Sequence, residues 1–239
     1  MIRRPSEPRP GGPRTLWVAD LGLQPYADAW RLQKALVEAR LRGHVPDLLL
    51  FTEHEPVFTL GRAGARQNLL VTDSFLQERG IPCLTTERGG DVTCHVPGQL
   101  VGYPVMRIPG GDRRVRAFMN TLEEAIIRTL DGFGIRGQRT SGQPGVWAGG
   151  GKIAFMGLAV KHGICFHGFA LNVSPDLTPF SWMHPCGLQD TRVTSMQSLL
   201  HTPPPAIGEV MQVFTDCFCS LLGRAPCKVS PEELPPPHP

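Results

Sequence analysis

Arg88-Gly89-Gly90-Asp91-Val92-Thr93-Cys94-His95-Val96-Pro97-Gly98-Gln99 lies between two apolar runs, residues 82–86 before it and 99–108 after it. Short apolar runs bounded by glycine and proline read as strands, so this segment joins two strands of a sheet through a glycine-bearing connection. Paired glycines permit positive φ and let backbone approach a ligand closely, although by themselves they also suit a plain tight turn. Here Arg88, Thr93, His95 and Gln99 add four polar side chains to the same short stretch. Alternation puts Thr93 and His95 on one face and Val92 and Cys94 on the other, which makes Cys94 a structural thiol.

Outward from this segment, helical and strand periodicities alternate. Residues 26–42 carry Trp30, Leu32, Ala35, Leu36 and Ala39 at helical spacing and stop at Gly43. Residues 47–51 and 56–60 read as short strands, 73–79 as a short helix and 113–133 as the longest helix. Period-two character over 152–160 and 164–173, separated by Lys161-His162-Gly163, predicts a hairpin. A last helix is expected over 207–222. The fold expected is one α/β catalytic domain over residues 15–228, with a disordered tail at 1–14 and a disordered proline-rich tail at 229–239.

Composition excludes several classes. Hydrophobic residues make up 41% and charged residues 19%, and no apolar run approaches the roughly 20 residues of a membrane-spanning helix. The formal charge of +3 is too small and scattered to indicate nucleic acid, but a mild basic patch suits an acidic protein partner. Seven cysteines form no CxxC pair and follow no secretory segment, which fits a reducing compartment and a cytoplasmic location. The stretch 1–14 holds four arginines and one acid, a faint likeness to an organellar transit peptide, but its prolines and glycines spoil an amphipathic helix.

Two further segments carry chemistry. Lys152 follows Gly149-Gly150-Gly151 at the start of a strand, where its side chain either turns inward or stays solvated. Cys186 lies in the irregular run His184-Pro185-Cys186-Gly187, where a cysteine is either an inert thiol or a nucleophile held on a loop. A thiol, an amine and a glycine-lined pocket together point to acyl transfer: cysteine can hold an acyl group as a thioester, and lysine can take or supply the proton. In His167-Gly168-Phe169-Ala170-Leu171-Asn172 the glycine would let an apolar chain pass beside the strand, or would mark a bulge. Lone histidines such as His54, His162, His184 and His201 carry little signal.

At these residues the chain resembles the lipoyl(octanoyl) transferases. The family pattern of Arg-Gly-Gly, Thr, His and Pro-Gly-Gln appears at 88–99. Gly-Val-aromatic then Lys-Ile appears at 145–147 and 152–153, His-Gly-x-Ala-Leu-Asn at 167–172, and Pro-Cys-Gly at 185–187. The pattern departs at Val96, where glycine is usual, and at Phe169, where an aliphatic residue is usual. The resemblance implies a mixed sheet with flanking helices, similar to the catalytic domain of biotin and lipoate protein ligases. It implies transfer of octanoyl from octanoyl-acyl carrier protein to Cys186, with Lys152 as acid/base partner. The acyl group then passes to a lysine of lipoyl domains in 2-oxoacid dehydrogenase E2 subunits and the glycine cleavage H protein, without cofactor or metal. It also implies substrate-binding segments at Arg88, Gly89, Gly90, Asp91, Val92, Thr93, Cys94 and His95, at Phe155, Met156 and Gly157, and at Gly168, Phe169 and Ala170.

Three rivals remain open, one of them a purely structural interaction module that would tolerate loss of both Lys152 and Cys186. An ATP-dependent lipoate or biotin ligase shares the fold and needs no nucleophilic cysteine. A zinc-binding interaction protein would gather Cys94, His95, His167 and Cys186, without any paired CxxC or HxxxH core to support it. Backbone N–H groups near Cys186 or in the Gly89-Gly90 loop are the expected oxyanion donors.

Overall fold

The computed structural model describes residues 14–108, 110–184 and 191–236. A mixed sheet of eight strands runs in the order β11-β1-β2-β6-β10-β9-β8-β7. Its members are β1 (Arg14–Gln24), β2 (Leu48–His54), β6 (Gln99–Arg107), β7 (Gln138–Thr140), β8 (Gln143–Ala148), β9 (Gly151–Lys161), β10 (Ile164–Asn172) and β11 (Arg224–Lys228). A second sheet, β4-β3-β5, is formed by β3 (Val57–Leu60), β4 (Cys83–Thr85) and β5 (Val92–His95).

The large sheet is covered on both faces, which explains why its central strands are apolar throughout rather than alternating. On one face lie α3 (Val115–Gly132) and α5 (Ile207–Leu222), which bring Leu122, Ile126, Phe214 and Phe218 onto Leu49, Phe51 and Phe169. On the other lies α1 (Tyr26–Leu41), whose Ala29, Leu36 and Val37 pack on Leu48, Val101 and Ala170. A third cluster, with Phe58, Val92, Cys94, Phe155 and Phe180, fills the space by the small sheet. The two shorter helices are α2 (Asp73–Glu78), capped by the Thr72 side chain, and α4 (Met196–Leu199), capped by Ser195. Among the described residues no helix is long and apolar enough to cross a membrane.

The β9–β10 hairpin forms as its pattern predicts, with Lys161 opposite Ile164 and both intervening residues, His162 and Gly163, at positive φ. Five strands escape the sequence reading: β1, β7, β8, β11 and β5, the last lying within the segment read as a connection. Two of them, β1 and β11, are parallel neighbours at the sheet edge, a pairing set by residues some two hundred positions apart.

The tail expectation needs correction. Val229 N donates to Val18 O at 3.0 Å, Pro231–Glu233 form a 3-10 turn, and Leu234 is buried in the α1-side cluster. Those two apolar side chains anchor a stretch whose proline content suggested disorder. The expected tail at 1–14 lies outside the described residues except for Arg14, which opens β1.

Candidate active site

Lys152 is placed by a turn that only glycine suits. Gly149 and Gly150 both adopt positive φ, +55° and +77°, joining β8 to β9 so that Lys152 pairs with Trp147. Its side chain turns inward and is 1% exposed. The Nζ lies 4.7 Å from the centre of the Trp147 ring and 5.1 Å from that of Phe155, so two aromatic rings border the amine. Gly145 makes room for it, since a Cβ there would stand 2.9 Å from Lys152 Cε and 2.4 Å from Ala154 O. The Gly-Val-Trp motif thus has a physical reading: the glycine admits the lysine stem and the aromatic ring faces its amine. Glu123, buried on α3, accepts from Gly145 N at 2.9 Å and from Arg139 Nε at 3.1 Å, fixing that backbone.

The Arg88 loop is a rigid structure. Arg88 Nε donates to Thr59 Oγ1 at 3.0 Å, Nη1 to Gly89 O at 3.0 Å, and Nη2 to Thr59 O and Asp91 O at 2.6 Å each. From the facing loop Gly61, Arg62 and Ala63 donate backbone N–H groups to the carbonyls of Asp91, Arg88 and Gly90. Gly89 N donates to Leu158 O at 2.8 Å, so that amide is engaged in the fold and not available to an oxyanion. Asp91 accepts from Ala65 N and from the Asn68 side chain.

A chain of side-chain hydrogen bonds links the separated motifs. His95 Nδ1 donates to Gln99 Oε1 at 3.2 Å, Gln99 Nε2 to Asn172 Oδ1 at 2.8 Å, and Asn172 Nδ2 to Thr194 O at 2.9 Å. Thr194 N in turn donates to Lys152 O at 3.0 Å. His, Gln and Asn of two motifs therefore hold the segment that returns beside Lys152. Burial, with His54 and Arg88 nearby, drives His95 far below the ordinary histidine range, so it is neutral with its proton on Nδ1.

Around it lies a buried set of rings. Tyr26 stacks on His95 with centroids 5.6 Å apart, and Tyr103 Oη donates to His54 Nε2 at 2.7 Å while His54 Nδ1 donates to Gln24 O at 3.0 Å. Burial lowers His54 to about 4 and raises both tyrosines. His167 is lowered by burial, partly offset by Glu87. Partial burial raises Glu87, but the His167 ring 3.8 Å away and the hydrogen bond from Trp30 Nε1 outweigh this and leave it at about 2.

One pocket takes its lining from all three expected segments. Arg88, Gly90, Asp91, Val92, Thr93 and His95 come from the first, Phe155, Met156 and Gly157 from β9, and Gly168, Phe169 and Ala170 from β10. Gly89 and Cys94 are not on its surface, and the Cys94 thiol sits in the third hydrophobic cluster, where burial raises it. Gly168 is glycine for a different reason than ligand passage alone: a Cβ there would stand 1.9 Å from Gly102 O on β6. Phe169 fills the space over Gly102 and packs on Phe214 with centroids 4.5 Å apart, which gives the ring at this position a core role as well. Val96 is buried.

Sequence reading missed Tyr26, Tyr103 and His167 as lining residues. Tyr26 looks like an ordinary helix start, and the one available signal was a buried polar Gln33 on the apolar face of α1. Cys186, with the rest of residues 185–190, lies outside the described residues. The chain on either side is anchored: His184 N donates to Asn68 O at 2.7 Å, and Lys152 N donates to Arg192 O at 2.7 Å. Among the described residues no group of three His, Cys, Asp or Glu side chains is assembled to hold a metal ion.

A mixed sheet covered by helices on both faces is the fold that this chain shares with solved lipoate and biotin protein ligases. The fold matches lipoate-protein ligase A bound with ATP at a TM-score of 0.71 and 18% identity, covering 93% of this chain and 91% of that one. It matches biotin protein ligase from Aquifex aeolicus at a TM-score of 0.51 and 12% identity, covering 87% and 68%.

The lipoyl protein ligase A/B catalytic domain matches residues 25–219. The octanoyltransferase of Alkaliphilus metalliredigens is 46% identical over 205 residues, 84% of this chain and 94% of that protein. That of Chloroflexus aggregans is 39% identical over 216 residues, 89% and 97%. The chain belongs to the lipoyl protein ligase A/B family and, within it, to the octanoyltransferases; it is an acyltransferase.

Proposed function

We propose that the enzyme transfers octanoyl from the thioester of an acyl carrier protein to Cys186, and then to a lysine of a lipoyl domain, including those of 2-oxoacid dehydrogenase E2 subunits and the glycine cleavage H protein. The observation that carries this reading is the inward Lys152, anchored through its own backbone to Arg192 and Thr194 just past Cys186 and lying against Phe155 at the pocket. In the first half-reaction the proton of Cys186 passes to Lys152 as the sulfur attacks the donor carbonyl, the donor's carbonyl–sulfur bond breaks, and Lys152 gives the proton to the departing carrier thiolate. In the second, the acceptor amine attacks the Cys186 thioester and gives a proton to Lys152, the carbonyl–sulfur bond breaks, and Lys152 returns that proton to the departing Cys186 thiolate. Exchange between thioesters is nearly isoenergetic and the final amide is more stable, so the sequence requires no ATP. The 39–46% identity to octanoyltransferases, against 18% to a ligase bound with ATP, supports this over the ligase reading.

The test is intact-mass analysis after incubation with octanoyl-acyl carrier protein. Wild type gains one octanoyl group, removable by hydroxylamine, and Cys186→Ser gains none. No adduct on folded wild type with intact donor overturns Cys186 as nucleophile.

A further inference from the structure

Gln99 and Asn172 are fully buried, stand opposite each other across the β6–β10 ladder, and take no part in lining the pocket. Burying two amides where apolar side chains would pack as well costs free energy unless their polar ends are bonded. Each bonds the other, so the pair reaches outward to two groups, the His95 ring on β5 and the carbonyl of Thr194.

This line of hydrogen bonds has one permitted direction. Thr194 O can only accept, so Asn172 must turn its NH2 toward it and its Oδ1 toward Gln99; Gln99 must then donate to Asn172 and accept from His95. A carboxylate at 172 would set oxygen against oxygen. An amide is therefore what the backbone carbonyl of Thr194 requires.

What that carbonyl anchors is the segment beside Lys152. Lys152 N donates to Arg192 O at 2.7 Å and Thr194 N to Lys152 O at 3.0 Å, an isolated parallel bridge between Lys152 and Val193. Gly151 admits the segment, since a Cβ there would stand 3.0 Å from Thr194 Cβ and 3.3 Å from Arg192 O. A bridge of two hydrogen bonds is a weak hold. The Asn172 amide, itself fixed by Gln99, adds a third bond from β10.

We infer that Asn172 is a positioning residue: through Thr194 it keeps the segment that follows Cys186 in one register against Lys152, and so sets the distance over which the two exchange a proton. This rests on the Cys186–Lys152 reading above. A misplacement of about 1 Å at such a pair lowers the rate by up to about a hundredfold.

Asn172→Leu keeps the volume, brings in no charge and removes both bonds; Asn172→Ser removes them with less bulk, and decides the matter if circular dichroism shows the leucine variant unfolded. In single-turnover acylation by octanoyl-acyl carrier protein the maximal rate should fall by about tenfold, with the half-saturating donor concentration changed by less than about twofold. The pH of half-maximal rate should move upward by about half a unit, because a thiol held less closely against a lysine ionises less readily. Alkylation of Cys186 by iodoacetamide over the same pH range, read by peptide mass mapping, should show the same upward movement with no acyl donor present. A purely packing role would lower stability and leave both pH midpoints in place. Unchanged midpoints in the folded variant, or a defect confined to half-saturation, overturn the proposal. A raised alkylation midpoint in the variant, with a wild type that never takes octanoyl from the carrier, would retain the positioning role and overturn the octanoyl-transfer reading instead.

Discussion

The Lys152 end and the His167 end of the β9–β10 pair use opposite physical strategies. At the Lys152 end the backbone is satisfied: Arg192 and Thr194 bond it on both sides, and glycines at 149 and 150 adopt positive φ without steric penalty. At the His167 end a non-glycine residue takes a left-handed conformation and leaves a ring nitrogen unsatisfied. The first arrangement gives a group a fixed position. The second buries a strained residue, and the fold compensates for the strain with Gln33 and Tyr26 from α1.

Removing the amine should break the first end most severely. Lys152→Ala is expected to lower octanoyl transfer by about a thousandfold, as loss of a general acid/base does, with little loss of stability because the backbone bonds remain. Single-turnover acylation followed by mass measures it. Gly168→Ala attacks the junction beside His167: its Cβ would meet Gly102 O, a backbone atom, and the expected loss is about 3 kcal/mol or more in urea denaturation. A loss below 1 kcal/mol would mean that β6 yields there.

Acid should act on the His167 end. Burial among Tyr26, Tyr103 and His95 lowers His54 from its ordinary value to about 4. Its stabilisation is therefore complete above the unfolded pKa near 6.5 and is lost as pH falls toward 4, about 3 kcal/mol across that window. His95 and His167, also lowered by burial, add in the same direction. Denaturation at pH 7.5, 6 and 5 should show the decline, and His54→Gln should flatten it.

Glu123→Ala sharpens the contrast at the other end, since it removes the acceptor for Gly145 N and Arg139; about 2 kcal/mol of stability should go, with transfer falling as Lys152 loses its bed. The smallest effect belongs to neither end. Asp28→Ala breaks an exposed pair with Arg31 on α1 and should change the melting free energy by no more than about 0.5 kcal/mol.

The motifs at 88–99, 145–153 and 167–172 were readable because glycine, proline and alternation are local signals, and the inward Lys152 was an alternative that the Gly-Gly turn made available. Tyr26 escaped because its partners, His95 and His167, are distant in the chain and nothing in a helix start announces them. The edge strand β11 and its neighbour β1 escaped because one strand's pairing depends on the other's arrival.

By itself, then, the sequence determined the long helices, the β9–β10 hairpin, the family and the residue types available for acyl transfer, all of which depend on neighbours a few positions apart. Tertiary structure alone decided that His95, Gln99, Asn172 and Thr194 form one line to Lys152, and that His167 is strained against α1. Those facts arise from close approach of segments that the chain keeps far apart, where hydrogen bonding and excluded volume, not local propensity, select the conformation.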